Sequence, residues 1–241
     1  MYHSLIHLAC LDYYYGSRFE LTSPKNNIRI AARQTSSGKS SHVAARGIFY
    51  QIAINEWGEN HARIYGTTIH ELAHSAHRQV DAVSYDLLVE NGILKIAGPN
   101  GHISYSEKRE ARTMLETWPT TVEYLFVQRR YGLRDDLRND TQILGAKYRQ
   151  LLQNIQVGMG DGLQEYYTSC GFDMIDNYNQ NARLTPNTNL PVDRVRGYTP
   201  NQLEGALIMT TRWNQWRDKI KQQNTNATSG NVDELFANWQ F

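Results

Sequence analysis

The residues best suited to chemistry lie at 67–77, in the string Thr-Thr-Ile-His-Glu-Leu-Ala-His-Ser-Ala-His. His70 and His74 are four residues apart, so an α-helix places both imidazoles on one face, about one turn apart. Two imidazole nitrogens at that separation can bind one Zn²⁺ ion. Glu71 lies about 100° further round the helix, where its carboxylate can reach a water molecule at the metal without binding the metal. The pattern therefore predicts a zinc site with Glu71 as the catalytic base.

A third ligand is needed, because a catalytic zinc ion normally has three protein ligands and one open position. His77 follows His70 by two helical turns, about 10.5 Å, which is too far for both to bind one ion from a straight helix. We therefore expect His77 to have a structural or supporting role. The candidates for the third ligand are Glu116 and Glu123, which share one flank of a later predicted helix and lie two turns apart. Their spacing leaves both open.

This combination of HExxH and a glutamate from a later helix resembles the gluzincin branch of the zincin metallopeptidases. More narrowly, Glu-Thr-Trp-Pro at 116–119 and Gly-Tyr-Thr with Gln-Leu-Glu at 197–204 are similar to uncharacterised secreted zinc-peptidase domains of the Bacteroidetes type. The resemblance implies Zn²⁺ held by His70, His74 and Glu116. It also implies a protein or peptide substrate and a location outside the cytoplasm.

The resemblance has further implications, and the sequence departs from thermolysin-like enzymes at two points. It implies that an exposed strand near the active-site helix binds extended peptide, and 62–65 is the candidate strand. Glu116 follows His74 by 42 residues, which is longer than in thermolysin-like enzymes, so an extra helix or hairpin is expected between residues 80 and 104. Position 120 is Thr, where those enzymes have an Asp. The partner of the zinc-binding histidines is therefore unassigned.

The pattern of apolar residues predicts an α+β fold, and the resemblance implies that this fold is zincin-like. We expect one domain, 1–241, with a small mixed β-sheet and the HExxH helix in an N-terminal lobe (1–82) and a mainly helical C-terminal lobe (83–241). Strands are predicted at 27–33, 47–54 and 62–65. Helices are predicted at 2–15, from 67 onward, from 104 to about 126, and at 141–155, 171–177 and 199–221, with loops at 157–162 and 181–197.

Two of these helices begin with recognisable capping residues. Ser104 and Glu107 form a capping-box pattern, and Thr199 and Gln202 form another, with Pro200 at the first helical position. The helix that begins after Ser104 also contains Pro119, which lacks an amide hydrogen and should interrupt or kink the helix.

Composition excludes several classes of protein. The chain has 241 residues, 40% of them hydrophobic, which is enough for a globular core and excludes fibrous or disordered chains. Its 25 Lys and Arg against 24 Asp and Glu give a net charge of +1, so nucleic acid is not an expected partner. No apolar run approaches the ~20 residues of a membrane span.

The first residues of the chain do not indicate a cellular compartment. Cys10 and Cys170 could form one disulfide.

Two other functions remain open from the residues alone. The motif prepares a water molecule and a base without specifying the acyl group, so a different zinc-dependent amide hydrolase is one alternative. A non-catalytic binding module braced by zinc is the other, and a fourth protein ligand such as Asp81 or His102 would favour it. The sequence does not indicate the cleavage specificity, the oxyanion-stabilising residue or the oligomeric state.

Overall fold

The computed structural model describes residues 1–16, 19–34, 40–42, 51–99, 101–132, 140, 142–152, 166–178 and 191–239. The chain divides into two compact units, Met1–Gln79 with Val122–Ile155 and Val80–Thr121 with Gln156–Phe241. Each unit is therefore built from two separate stretches of sequence. The expected division of a single domain at residue 82 stays a prediction.

The described residues form helices and one small sheet. In chain order the elements are α1 (Tyr2–Tyr15), β1 (Ile30–Ala32), β2 (Ser41–His42), β3 (Ile52–Ile54), α2 (His61–Val80), α3 (Ala82–Val89), a π-helical turn (Glu90–Leu94), α4 (Tyr105–Tyr131), α5 (Ala146–Leu152), α6 (Cys170–Ile175), α7 (Pro200–Gly205), α8 (Trp213–Gln223) and α9 (Val232–Phe236). Short 3-10 helices at Ser229–Asn231 and Ala237–Trp239 flank α9. None of the described helices combines the length and apolarity that crossing a membrane requires.

The sheet of the first unit has the strand order β1-β3-β2. β3 pairs in parallel with β1, with Ile30 opposite Ile52, and antiparallel with β2, with Ser41 opposite Ala53. The sheet is therefore mixed, as expected, and is compatible with an α+β fold. The more specific zincin-like fold stays a prediction. The first part of the strand predicted at 47–54 lies outside the described residues, as do the loop predicted at 157–162 and residues 181–190.

Helices of the first unit meet at a polar contact on Asp12 of α1. The Tyr65 hydroxyl of α2 and the Arg130 guanidinium of α4 both donate to Asp12 Oδ2, at 2.8 and 2.7 Å. Burial raises the pKa of Tyr65, and the neighbouring Asp12 carboxylate raises it further, so the hydroxyl stays a neutral donor. Nearby, the rings of Tyr13 and Phe126 stack with centroids 5.1 Å apart. These contacts hold α1 and α4 beside the HExxH helix.

The strand predicted at 62–65 is wrong, because these residues form the first turn of α2. Asn60 Oδ1 accepts a hydrogen bond from Arg63 N at 2.9 Å, as an N-cap residue does. The amides of His61 and Ala62 donate to the carbonyls of Gln142 and Ile143. A short apolar run does not distinguish a buried strand from a buried helix, and these tertiary contacts begin the helix early. The candidate for a peptide-binding strand is therefore lost.

Pro119 lies inside α4 without interrupting it. Proline removes the amide that would donate to the carbonyl of Leu115, and the two threonines that follow donate their hydroxyls to the next two carbonyls. Thr120 Oγ1 donates to the carbonyl of Glu116 and Thr121 Oγ1 to that of Thr117, each at 2.8 Å. The capping box predicted at Ser104 and Glu107 is present at the start of this helix. α4 is therefore a single helix of 27 residues that carries both glutamates.

In the second unit, the expected extra element between residues 80 and 104 is α3 followed by the π-helical turn. Asp81 caps α3 by accepting hydrogen bonds from Val83 N and Ser84 N. Gly92 in the π-helical turn approaches the backbone of Arg112 so closely that an added Cβ would lie 2.9 Å from the Arg112 amide nitrogen. Glycine is therefore required where this turn meets α4.

The capping box of Thr199 and Gln202 is confirmed, but the helix predicted at 199–221 is broken into α7 and α8. Between them Met209 adopts a left-handed backbone conformation with φ of 53°, and its amide donates to Asp81 Oδ2 at 2.7 Å. A contact distant in sequence thus holds the break open. The disulfide that the sequence left possible is not formed, since Cys10 and Cys170 are both free thiols.

Candidate metal centre

The HExxH motif lies in the middle of α2, which is anchored by its apolar positions. Ile69, Leu72 and Ala76 are fully buried. This agrees with an amphipathic helix whose apolar side packs into the core while the two histidines share another side. α2 therefore presents its chemical groups from a rigid support.

Solvent reaches this part of α2 at the residues of the motif. Between residues 68 and 77 the exposed fraction is 6% for His70, 5% for Glu71 and 7% for His74, and it is 2% or less for every other residue. The small remaining accessibility is thus concentrated on the three side chains that the sequence singles out.

The structure brings His70, His74 and Glu116 together. One potential ligand atom from each of these residues lies within 4.8 Å of the others. The rings of His70 and His74 are 4.9 Å apart between centroids and inclined by 77°. Two imidazoles and one carboxylate form a donor set that fits Zn²⁺.

Other residues considered as ligands do not belong to this group. The potential metal-binding group found in the described part of the chain does not include His77, which is buried on α2, or the exposed His102. Asp81 instead accepts hydrogen bonds at the start of α3 and from Met209. These backbone hydrogen bonds, with that from Met209 the strongest, lower the pKa of Asp81. Its carboxylate is therefore engaged as a helix cap.

Glu123 contacts His70 at the ring nitrogen Nδ1. Its Oε2 lies 3.2 Å from His70 Nδ1, and both side chains are nearly buried. If Nδ1 carries the hydrogen and donates it to the carboxylate, Nε2 keeps a lone pair for a metal. This is the arrangement in which a carboxylate sets the tautomer and orientation of a metal-binding histidine. The two glutamates of α4 thus meet the site in different ways.

Tyr148 of α5 completes this arrangement. Its hydroxyl donates a short hydrogen bond to Glu123 Oε1, the carboxylate oxygen that does not face His70. Gly66, one turn before His70 on α2, provides the necessary space. A Cβ at residue 66 would lie 2.5 Å from the Tyr148 hydroxyl oxygen and 3.2 Å from Glu123 Cγ and Oε1. The absence of a side chain at Gly66 therefore permits the Tyr148–Glu123–His70 chain.

Sequence reasoning did not find Tyr148, Gly66 or the contact between Glu123 and His70. The sequence indicated only that a partner was unassigned, because position 120 is Thr where the enzymes it resembles have an Asp. It contained no signal that the partner would come seven residues after Glu116. Tyr148 is one of 15 tyrosines, and nothing local distinguishes it from the others.

Comparison with known proteins does not add to this assignment. No protein-family model matches the chain, and neither the curated proteins nor the solved structures contain a significant match to it.

Proposed function

We propose that the protein is a zinc-dependent metallopeptidase. The observation that carries the proposal is the approach of ligand atoms from His70, His74 and Glu116 to within 4.8 Å of one another. In the same motif Glu71 supplies a carboxylate that is 5% exposed. Two neutral nitrogen ligands and one carboxylate are the composition of catalytic zinc sites that hydrolyse peptide bonds.

Within this proposal each residue has a defined role. His70, His74 and Glu116 hold the ion, and Glu123 orients His70 through Nδ1. A bound Zn²⁺ ion lowers the pKa of a water molecule and polarises a carbonyl group. Glu71 accepts the proton from the attacking water and later transfers it to the leaving amine, as a general base and then a general acid.

The donor set favours a catalytic site over a structural one. Structural zinc sites in proteins have four protein ligands, whereas catalytic sites have three and leave a position for water or substrate. The group found in the described residues has three members, and His70, Glu71 and His74 each keep a small solvent-accessible fraction. These observations support hydrolysis rather than a purely structural role for the ion.

Replacement of Glu71 by Gln tests the proposal. The variant should bind zinc as the parent does, because Glu71 is not a ligand, and should hydrolyse peptides about 10²–10⁴-fold more slowly, because an amide cannot accept the proton. Zinc content is measured by elemental analysis and hydrolysis with an internally quenched peptide library. Equal rates for parent and variant would remove Glu71 from its role, and a zinc-loaded parent that cleaves no library member would refute the peptidase proposal.

The metal assignment has its own test. His70→Ala and His74→Ala should each remove the zinc, since the remaining two ligands cannot hold it against mild chelation. His102→Ala is the matched control, because His102 is exposed and lies outside the group. A parent protein that cannot be loaded with zinc would overturn the assignment.

A further inference from the structure

Over a long stretch of α4, only two residues are accessible to solvent. From Ala111 to Val127 every residue is buried except Arg112 and Glu116, which are both half-buried. These residues are four apart, so they lie on one flank of the helix with their Cβ atoms about 5–6 Å apart. The solvent-accessible part of this stretch therefore consists of the proposed ligand Glu116 and, one helical turn away, Arg112.

Arg112 is held by an aromatic ring. Its Cζ lies 4.0 Å from the centroid of the Tyr166 ring, a distance that permits a favourable cation–π contact. In the described part of the chain Arg112 forms no ion pair with a carboxylate, and its buried Nε has no hydrogen-bond partner. Partial burial of an unpaired guanidinium is costly, and the ring offsets only part of that cost. A ligand that accepts hydrogen bonds would satisfy the group.

The geometry of a stacked guanidinium defines the ligand. Stacking occupies the face of the planar group and leaves the N–H donors along its edge for another partner. Those donors match the two oxygens of a carboxylate, which can accept two parallel hydrogen bonds. Uncharged amides accept only one such bond and lack the opposite charge. Arg112 is therefore suited to a carboxylate next to the metal.

We propose that Arg112 binds a carboxylate of the substrate, one or two residues from the scissile peptide bond. The inference rests on the proposed function. An extended peptide advances about 3.3–3.6 Å per residue. One or two residues between the peptide bond at the metal and the carboxylate therefore cover about the distance of the one helical turn from Glu116 to Arg112. Either the C-terminal carboxylate or an acidic side chain supplies this chemistry.

Binding of matched peptides to the zinc-loaded Glu71→Gln variant tests the inference without turnover. One pair is acetyl-Ala-Ala-Phe with a free carboxylate and with a C-terminal amide. The other is acetyl-Ala-Glu-Ala-amide and its Gln counterpart. By calorimetry we expect the acidic member of one pair to bind about 10- to 100-fold more tightly, the usual effect of a charge-assisted hydrogen bond. The pair that shows the preference identifies the source of the carboxylate.

Variants assign the preference to Arg112. Adding Arg112→Ala should abolish it, and Arg112→Lys should restore part of it, because lysine keeps the charge but not the paired donors. Arg109→Ala is the matched control, since Arg109 is an exposed arginine on the same helix. Retained zinc binding shows that each variant is folded. If Arg112→Ala does not fold, a reduced preference for the acidic peptide in Arg112→Lys is sufficient to support the inference.

Two results would overturn the inference: equal affinity for both members of each pair, or an undiminished preference in the folded Arg112 variants. Failure of the proposed peptidase function would give a different result from failure of the Arg112 inference. A parent enzyme that binds the acidic peptide tightly but hydrolyses neither member contradicts the peptidase proposal and leaves the carboxylate site standing. Hydrolysis of acidic and neutral members at equal rates, with equal affinities, contradicts only the role of Arg112.

Discussion

Glu116 and Glu123 lie two turns apart on α4 and approach the candidate metal centre differently. Glu116 belongs to the group of potential ligands, whereas Glu123 lies outside that group and contacts His70 at Nδ1. Removing a ligand eliminates a bond to the ion. Removing a partner of a ligand leaves the ligand in place but less well oriented, which typically lowers metal affinity 10–100-fold.

We therefore predict that Glu116→Ala loses zinc under mild chelation, while Glu123→Ala retains it with an affinity about 10–100-fold lower than that of the parent. Competition with a colorimetric chelator measures both variants side by side. Glu110→Ala, on the same helix, serves as the control and should match the parent. The reverse order of zinc loss would make Glu123 the third ligand and discard the assignment of Glu116.

At the scale of elements, the close approach of α2 to α4 and α5 depends on Gly66. Alanine normally stabilises a helix by roughly 0.5–1 kcal/mol relative to glycine. At residue 66 the added Cβ would lie 2.5 Å from the Tyr148 hydroxyl, at the far end of a side chain that can move. The main expected consequence is thus the loss of the hydrogen bond from Tyr148 to Glu123, rather than global unfolding.

Gly66→Ala should therefore lower zinc affinity by about the same factor as Tyr148→Phe, which removes the same hydrogen bond. The double variant should lose little more than either single variant, because both act on one interaction. Gly205→Ala in α7 is the matched control, since a Cβ there meets no atom within 4 Å. Chelator competition and thermal unfolding measure the effects. Fully additive losses of zinc affinity would show that Gly66 and Tyr148 act independently.

At the scale of the whole molecule, buried carboxyl groups in the second unit link stability to pH. Asp193 is fully buried, and its Oδ2 has no hydrogen-bond partner among the described residues. Burial raises the pKa of Asp193, and the nearby Asp176 carboxyl raises it further. Burial also raises the pKa of Asp176 to about 7. Both groups therefore favour the protonated form in the folded protein.

The sign of the pH effect follows from these shifts. Between the pKa of an unfolded aspartate, about 4, and the raised values in the folded protein, the folded state binds more protons than the unfolded state. The free energy of unfolding contributed by these groups is fully present below about pH 4 and is lost as the pH rises through 7. Acidic conditions are thus expected to favour this part of the structure.

We predict that Asp193→Asn reduces this loss of stability between pH 5 and pH 8 in urea unfolding. Asparagine keeps the Oδ1 acceptor for the amide of Val195, which donates to Asp193 at 3.0 Å. Asp86→Asn is the control, because Asp86 is exposed. An unchanged pH dependence in Asp193→Asn would show that Asp193 does not carry the effect.

Local features of the fold could be predicted from the sequence. The spacing of His70 and His74 places two imidazoles on one face of any helix, whatever surrounds it. The capping boxes at Ser104 and Thr199 form because their donors and acceptors lie within four residues. α1 also begins and ends where its apolar pattern and Gly16 indicate. Interactions of short range along the chain are sufficient for all of these.

The remaining features depend on contacts between residues distant in sequence. α2 begins at His61, not 67, because the carbonyls of Gln142 and Ile143 accept its first amides, and the left-handed turn at Met209 is held by Asp81. Local propensity is too weak to determine such boundaries against tertiary hydrogen bonds.

The same difference between local contacts and contacts distant in sequence applies to the candidate metal centre. Spacing along one helix predicted the pair of histidines and the adjacent glutamate, because about one helical turn relates them. Spacing did not separate Glu116 from Glu123, because both lie on one flank of α4 and differ in their position along it, and the choice of Glu116 came from the resemblance. The packing of α2, α4 and α5 decides which glutamate approaches His70 and His74 as a potential ligand. It also decides which glutamate contacts Nδ1 of His70 and accepts a hydrogen bond from Tyr148.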